Sequence, residues 1–184
     1  MSADATTGET ATADADPEPP SSEDAGSSRL EFVDRRTPGG SALSIAVDLD
    51  ELRRVGRRLA EAVGTRFEIA VALLGDDEMD RLHREHSGVP GTTDVLSWPL
   101  DADDRSGVVR GDLAVGVEVA AREAAARGRA LEAELMLYVV HGLLHLLGER
   151  DDTHARRSAM VVAQDRLLAA IGLPSTGEDS ESAR

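Results

Sequence analysis

The 184-residue chain has no cysteine. That rules out a disulfide framework, a thiolate metal site and a cysteine nucleophile, so any metal must be held by histidine or carboxylate. Lysine is missing too, and all 20 basic residues are arginine, a bias from which no function follows. No charged segment leads into an apolar one near residue 1, and the longest largely apolar run, 135–147, is too short to span a bilayer. These absences lead us to expect a cytoplasmic protein with no membrane partner.

What is abundant is acid: 35 Asp and Glu give a formal charge of -15. The excess is uneven. Residues 1–28 hold seven acids, no base and almost no large apolar side chain, a mixture that buries too little surface to offset its ordering entropy. We expect a disordered acidic tail there, and a second, flexible tail over 173–184, which carries three acids and one arginine. The intervening 29–172 is long enough for one domain with a proper core. Its charge is near -6, which argues neither for nor against nucleic acid, because a polyanion responds to the local patch.

Hydrophobic periodicity orders that domain. "RLEFV" from Arg29 reads as a strand, and Asp48 or Asp50 can cap a helix with Leu52, Val55, Leu59 and Val63 at helical spacing. "FEIAVALLG" from Phe67 is a strand, followed by a helix over "DDEMDRLHREH". A short strand at 94–98, an Asp- and Gly-rich loop at 101–107 and a strand at 111–118 come next. An alanine-rich helix, a central helix over 132–147 that is apolar nearly all round, and a last amphipathic helix complete the chain. The expected fold is α+β, a small mixed four-stranded sheet packed with about five helices. No internal repeat is visible.

The central helix carries the chemistry. In "HGLLHLLGERDDTH", 141–154, His141 and His145 are four apart, so both imidazoles project from one helix face and can converge on an ion. Gly148 is placed to end the helix in a left-handed turn that brings the chain back. The third ligand is then Asp151, six residues after His145, or alternatively His154. Aspartate is an acceptable zinc ligand, although it adds negative charge and makes a bound water less acidic than an all-imidazole shell would. Two buried imidazoles with nothing to satisfy them would cost desolvation. In HExxH peptidases the residue after the first histidine is the glutamate that acts as base; here it is Gly142.

"ELMLYVVHGLLHLLG", with "TTDVLSWP" and "GDLAVGVEVA" upstream in that order, resembles the YbeY family of bacterial metal-dependent endoribonucleases that mature ribosomal RNA. The resemblance runs from the first helix to the last. It implies one zinc per chain on three histidines, with His141 and His145 matching the first two and Asp151 standing where the third is expected. It also implies catalytic roles for His141, Asp94 and Ser97. The activity would be cleavage of single-stranded RNA in 16S 3′-end maturation and ribosome quality control. The ribosomal subunit would be the partner, with ribosomal proteins or an assembly GTPase as further candidates. The chain departs from the family pattern at Glu149-Arg150 and at Ser87, which stands where the family carries an arginine important for cleavage.

Other cations available for the RNA backbone are Arg53, Arg54, Arg57 and Arg58 on the first helix, with Arg84, Arg105 and Arg110 near the motif loops. Thr93 with Asp94, and Gly111 with Asp112, serve equally well to organise turns and strand starts. Leu96 and Trp98 read as core. Two rival functions remain: a non-catalytic, metal-stabilised ribosome assembly factor that acts by occupancy, and a metallopeptidase, disfavoured by Gly142.

Overall fold

A computed structural model describes residues 27–37, 44–100 and 107–176. In chain order the elements are β1 (Arg29–Asp34), α1 (Leu49–Ala62), β2 (Phe67–Leu74), α2 (Asp76–Ser87), β3 (Val95–Leu100), β4 (Val109–Gly116), α3 (Val117–Arg127), α4 (Leu131–Leu146) and α5 (His154–Ala170). The strands form one sheet in the order β1-β2-β4-β3. β1, β2 and β4 run parallel and β3 pairs antiparallel with β4, so the sheet is mixed and the domain is α+β.

Each helix follows from local chemistry. The Asp48 side chain accepts the Glu51 amide at 2.9 Å and starts α1, whose buried Leu52, Val55 and Leu59 face the sheet. α4 is apolar nearly all round because it is covered nearly all round: it packs on β3, β4, α1, α3 and α5. Glycine lets it lie close to the sheet. A Cβ at Gly142 would stand 2.8 Å from Leu113 Cδ2, and one at Gly111 would stand 2.7 Å from Leu146 Cδ1 and 2.9 Å from the Trp98 carbonyl oxygen.

Three boundaries differ from expectation, the first being β4, which spans Val109–Gly116 and not 111–118, so that Val117 and Glu118 open α3. β3 continues through Pro99 to Leu100, which the sheet tolerates because β3 is an edge strand. Beyond Leu173, where a flexible tail was expected, 173–176 are still bonded to the body: Arg129 Nη2 donates to the Ser175 carbonyl at 2.6 Å, and the Thr176 amide and hydroxyl donate to Asp165 Oδ1 at 2.8 and 2.7 Å. The expected acidic tail lies outside the described residues except at its end, where the Ser28 hydroxyl accepts the Phe67 amide at 3.3 Å.

Candidate metal centre

α4 ends in a tight glycine turn. Gly148, at φ 96°, donates its amide to the His145 carbonyl at 3.0 Å, and the Glu149 amide reaches back to the Leu144 carbonyl at 2.9 Å. This pair of bonds is the Schellman arrangement, and it reverses the chain toward the helix it has just left. Asp151 is thereby returned to the histidines: the ligand atoms of His141, His145 and Asp151 all lie within 4.8 Å of one another, and all three residues are half-buried. Among the described residues no other trio of histidine and carboxylate groups so closely. His154, the alternative third ligand, is the exposed first residue of α5 and is not in the trio.

The two imidazoles are held from behind. His141 Nδ1 lies 3.1 Å from Gln164 Oε1 on α5, and His145 Nδ1 lies 3.1 Å from the Glu149 carbonyl oxygen. Both oxygens can only accept, so a neutral ring bonded to either would carry its proton on Nδ1 and turn an Nε2 lone pair forward. The two Nε2 atoms face each other at 3.2 Å. Lone pairs at that separation repel unless a cation lies between them. Two nitrogens each ~2.0–2.1 Å from one tetrahedral ion stand about 3.3 Å apart, so the pair already has the spacing of a zinc shell. Nitrogen and carboxylate donors are the set zinc accepts.

His141 opens into a cleft of about 230 Å³ that it shares with Asp94, Tyr138, Gln164, Arg127 and Arg129. Asp94 does the turn-forming work expected of it, since its Oδ1 accepts the Thr93 hydroxyl and the Val95 amide, each at 2.9 Å. It also lines the cleft. Ser97 does not: it is half-buried further along β3, opposite Leu113 and on the same side of the strand as Val95. Under the cleft lies Glu134, fully buried on α4, ion-paired with Arg127 and 3.9 Å from Arg129 Nη1. Its Oε2 has no hydrogen-bond partner. Burial, and then the charge of Glu134 beside it, push the Tyr138 phenol well above its ordinary pKa.

Among the described residues, none of the arginines put forward for RNA lines this cleft. Arg53 pairs with Asp50 at 2.9 Å, Arg54 with Glu51, Arg84 with Asp80 at 2.6 Å and Arg110 with Glu68 at 2.9 Å. Arg57 borders a depression with Ser27 and Ser28, and Arg58 lies near Gly172. Arg105 lies outside the described residues. Ser87 donates its hydroxyl to the His83 carbonyl of its own helix at 2.8 Å. Leu96 is buried; Trp98 is half-buried beside it and meets His86 edge-on at 5.5 Å. The sequence reading singled out none of Glu134, Tyr138, Gln164, Arg127 and Arg129 as site residues. One signal was present: residues 134, 138, 141 and 145 recur at steps of four, three and four, a single stripe on α4.

Gly142 points at Leu113 and Val95, so a glutamate at that position would be driven into the sheet and not toward the histidines.

A buried helix presenting two Nε2 atoms, a carboxylate returned by a glycine turn and a polar cleft alongside define an α+β domain with a candidate metal centre of hydrolytic type. The family model described as Endoribonuclease YbeY matches residues 44–172, and the chain belongs to the YbeY family. A protein named Endoribonuclease YbeY from Anaeromyxobacter sp. (strain Fw109-5) is 42% identical over 106 residues, covering 58% of this chain and 55% of that protein. The proteins of the same name from Moorella thermoacetica and Micrococcus luteus are each 37% identical, over 62% and 69% of this chain and 79% and 86% of their own lengths. The chain thus spans about half of the first relative and most of the other two. A solution structure of a Thermotoga maritima protein, TM1509, aligns with a TM-score of 0.44 at 22% identity, over 77% of this chain and 90% of that one.

Proposed function

We propose that this chain is a zinc-dependent endoribonuclease that cuts single-stranded ribosomal RNA during maturation of the 16S 3′ end and in ribosome quality control, with the ribosomal subunit as its partner in the cytoplasm. The observation that carries the reading is the 3.2 Å approach of two Nε2 atoms whose rings each have an oxygen acceptor 3.1 Å from Nδ1, in a chain of a family whose curated members carry the name endoribonuclease. Among the described residues no helix is long and apolar enough to cross a membrane.

His141 and His145 would hold the ion through Nε2, and Asp151 would complete the set with an oxygen. Zinc bound there supplies Lewis acidity toward a phosphoryl oxygen and a water of lowered pKa. Gln164 and the Glu149 carbonyl keep both rings in the tautomer that leaves Nε2 free. Asp94, whose Oδ1 is committed to its own turn, has Oδ2 left to take a proton in the cleft it shares with His141.

The rival with an observation behind it is the assembly factor that acts by occupancy, because Ser87 brings no cation from α2 to the cleft. Zinc-loaded protein incubated with single-stranded and duplex ribosomal RNA fragments separates the two. We expect cleavage of the single strand, abolished by a chelator and in His141→Ala, with RNA binding retained in the variant. Tight RNA binding without cleavage at full zinc loading would select the assembly factor.

A further inference from the structure

Alternation along the strands gives the sheet a second face, turned away from α1 and α4. On it Trp98 of β3, Asp112 of β4 and Ala70 of β2 stand in one row, Trp98 directly opposite Asp112 and Asp112 directly opposite Ala70. α2 covers part of this face, packing Met79 and Leu82 on Leu74, Leu96 and Ala114. Ala70 and Asp112 are exposed, and a trough of about 630 Å³ runs over Ala70, Ala72 and Ala114, from Trp98 on β3 to Val33 on β1. Its floor is made of small side chains. The aromatic residue in its wall is Trp98, half-buried and met edge-on by His86 of α2 at 5.5 Å. Of the charged residues lining the trough, Glu78 is bonded to Arg81 at 2.6 Å, whereas Arg35 and Asp112 make no side-chain bond to a described residue. Arg110, two residues before Asp112 on the same face, is bonded to Glu68 at 2.9 Å.

We propose that this trough is a nucleobase subsite, in which a base of the bound RNA stacks on Trp98 and sets an edge of two adjacent N–H donors, the pattern guanine carries, on the Asp112 carboxylate. This rests on the ribonuclease reading above, which supplies the RNA. A carboxylate with no partner repels the phosphate backbone and can only accept, so what it holds is a base edge and not a phosphate. Directly opposed residues of an antiparallel pair have Cβ atoms about 4.5–5.5 Å apart, so a ring stacked on the indole brings its edge to Asp112. The small side chains beneath leave room for that ring, and the volume falls in the range of ligand pockets, ~300–1,000 Å³. The RNA arrives from the metal centre along β3. This edge strand begins beside Asp94 of the cleft and carries Trp98 about 13 Å further on. Single-stranded RNA offers unstacked bases to aromatic side chains and to acceptors at their edges, whereas a duplex keeps them inside.

Trp98 is the only tryptophan of the chain, so its emission reports on the subsite directly. The zinc-loaded full chain is titrated with 2′-O-methyl uridine oligomers, with and without a central guanosine, while anisotropy of a dye on the RNA follows binding and cleavage of unmodified RNA is assayed in parallel. Trp98 emission should change in step with binding, and the guanosine oligomer should bind at least about 5-fold more tightly. Asp112→Ala should lose that preference and keep the emission change. Trp98→Ala should weaken binding of the guanosine oligomer by about 5- to 150-fold. Because Trp98 also packs on Leu96 and Ala114, Asp112→Ala at its exposed position decides the matter where Trp98→Ala fails to fold. Anisotropy that saturates while Trp98 emission stays constant, or a guanine preference that survives in Asp112→Ala, would overturn this proposal alone with cleavage intact. So would an emission that follows protein concentration and not RNA, which would make the trough a contact between copies of the chain. Absence of both binding and cleavage in the zinc-loaded wild type would remove the ribonuclease reading and this one with it.

Discussion

Gln164 on α5 accepts a hydrogen bond from Nδ1 of His141 on α4 at 3.1 Å. The two residues are 23 positions apart, and the bond exists only because α5 folds back along α4. It decides which nitrogen of His141 is available: with the proton on Nδ1, Nε2 is left to face His145. Partners of this kind are typically worth 10–100-fold in metal affinity. Gln164→Leu fills similar space without an acceptor, so we expect zinc affinity to fall by ~10–100-fold while the fold persists. Competition against a chromogenic chelator reads this directly. Unchanged affinity would mean that packing alone orients the ring.

The third ligand is separable from its neighbour in the same loop. Asp151 lies in the trio with both histidines, whereas His154 begins α5 and is exposed. Asp151→Ala should therefore strip zinc from the purified protein, and His154→Ala should leave near one ion per chain by metal mass spectrometry. Asp151→His should retain the ion, because imidazole reaches zinc at a similar bond length. Retention in Asp151→Ala with loss in His154→Ala would reverse the assignment.

Much of this architecture is legible along the chain. Alternation in "FEIAVALL" marks β2, three- and four-residue spacing marks α1, and the histidine pair with Gly148 and Asp151 outlines the candidate metal centre before any fold is known. One thing that escapes is a local pairing, and the rest is non-local. The arginines of α1 look like a free basic face in sequence, yet Arg53 and Arg54 are bonded to Asp50 and Glu51 one turn earlier. The cations that do line the cleft come from either side of Gly128, and nothing local says that this turn faces His141. Glu134 and Tyr138 share the histidine stripe, but within an apolar run they read as packing. The end of the domain was equally hidden, since 173–176 is held by Arg129 and Asp165, distant in sequence from each other.

Two glycines let α4 approach the sheet, and their replacement should not cost the same. In Gly142→Ala the obstacles are the Leu113 and Val95 methyl groups, at 2.8 and 3.0 Å, which can shift by a few tenths of an ångström. Alanine also gains up to ~1 kcal/mol over glycine in a helix interior. In Gly111→Ala the new methyl meets Leu146 at 2.7 Å and the Trp98 backbone carbonyl at 2.9 Å, and that carbonyl is fixed in the sheet. We expect Gly142→Ala to be near neutral and Gly111→Ala to lose ~1–3 kcal/mol from overpacking. Urea melts of both variants test this, and equal losses would mean that the helix can move off the sheet as easily as a leucine methyl can turn.

Metal removal should separate the site from the fold. The core of buried apolar side chains runs from Phe32 to Ile171 and contains none of the three proposed ligands, so the chelated protein should remain folded, unlike a small zinc module whose metal supplies its core. The ion would nevertheless bind only the native arrangement, because the Schellman turn and Gln164 assemble the proposed site. A ligand that binds the native state alone adds about 2.7 kcal/mol at a hundred times its Kd. For a domain of this size that is a rise in Tm of roughly 5–10 °C. Titrating zinc into chelated protein should raise Tm in this concentration-dependent way, and His145→Ala should abolish the rise without lowering the Tm of the metal-free form by a comparable amount. A metal-free protein without a cooperative melt would show that the ion is part of the core, and a Tm insensitive to zinc would show that the facing Nε2 atoms are not its site.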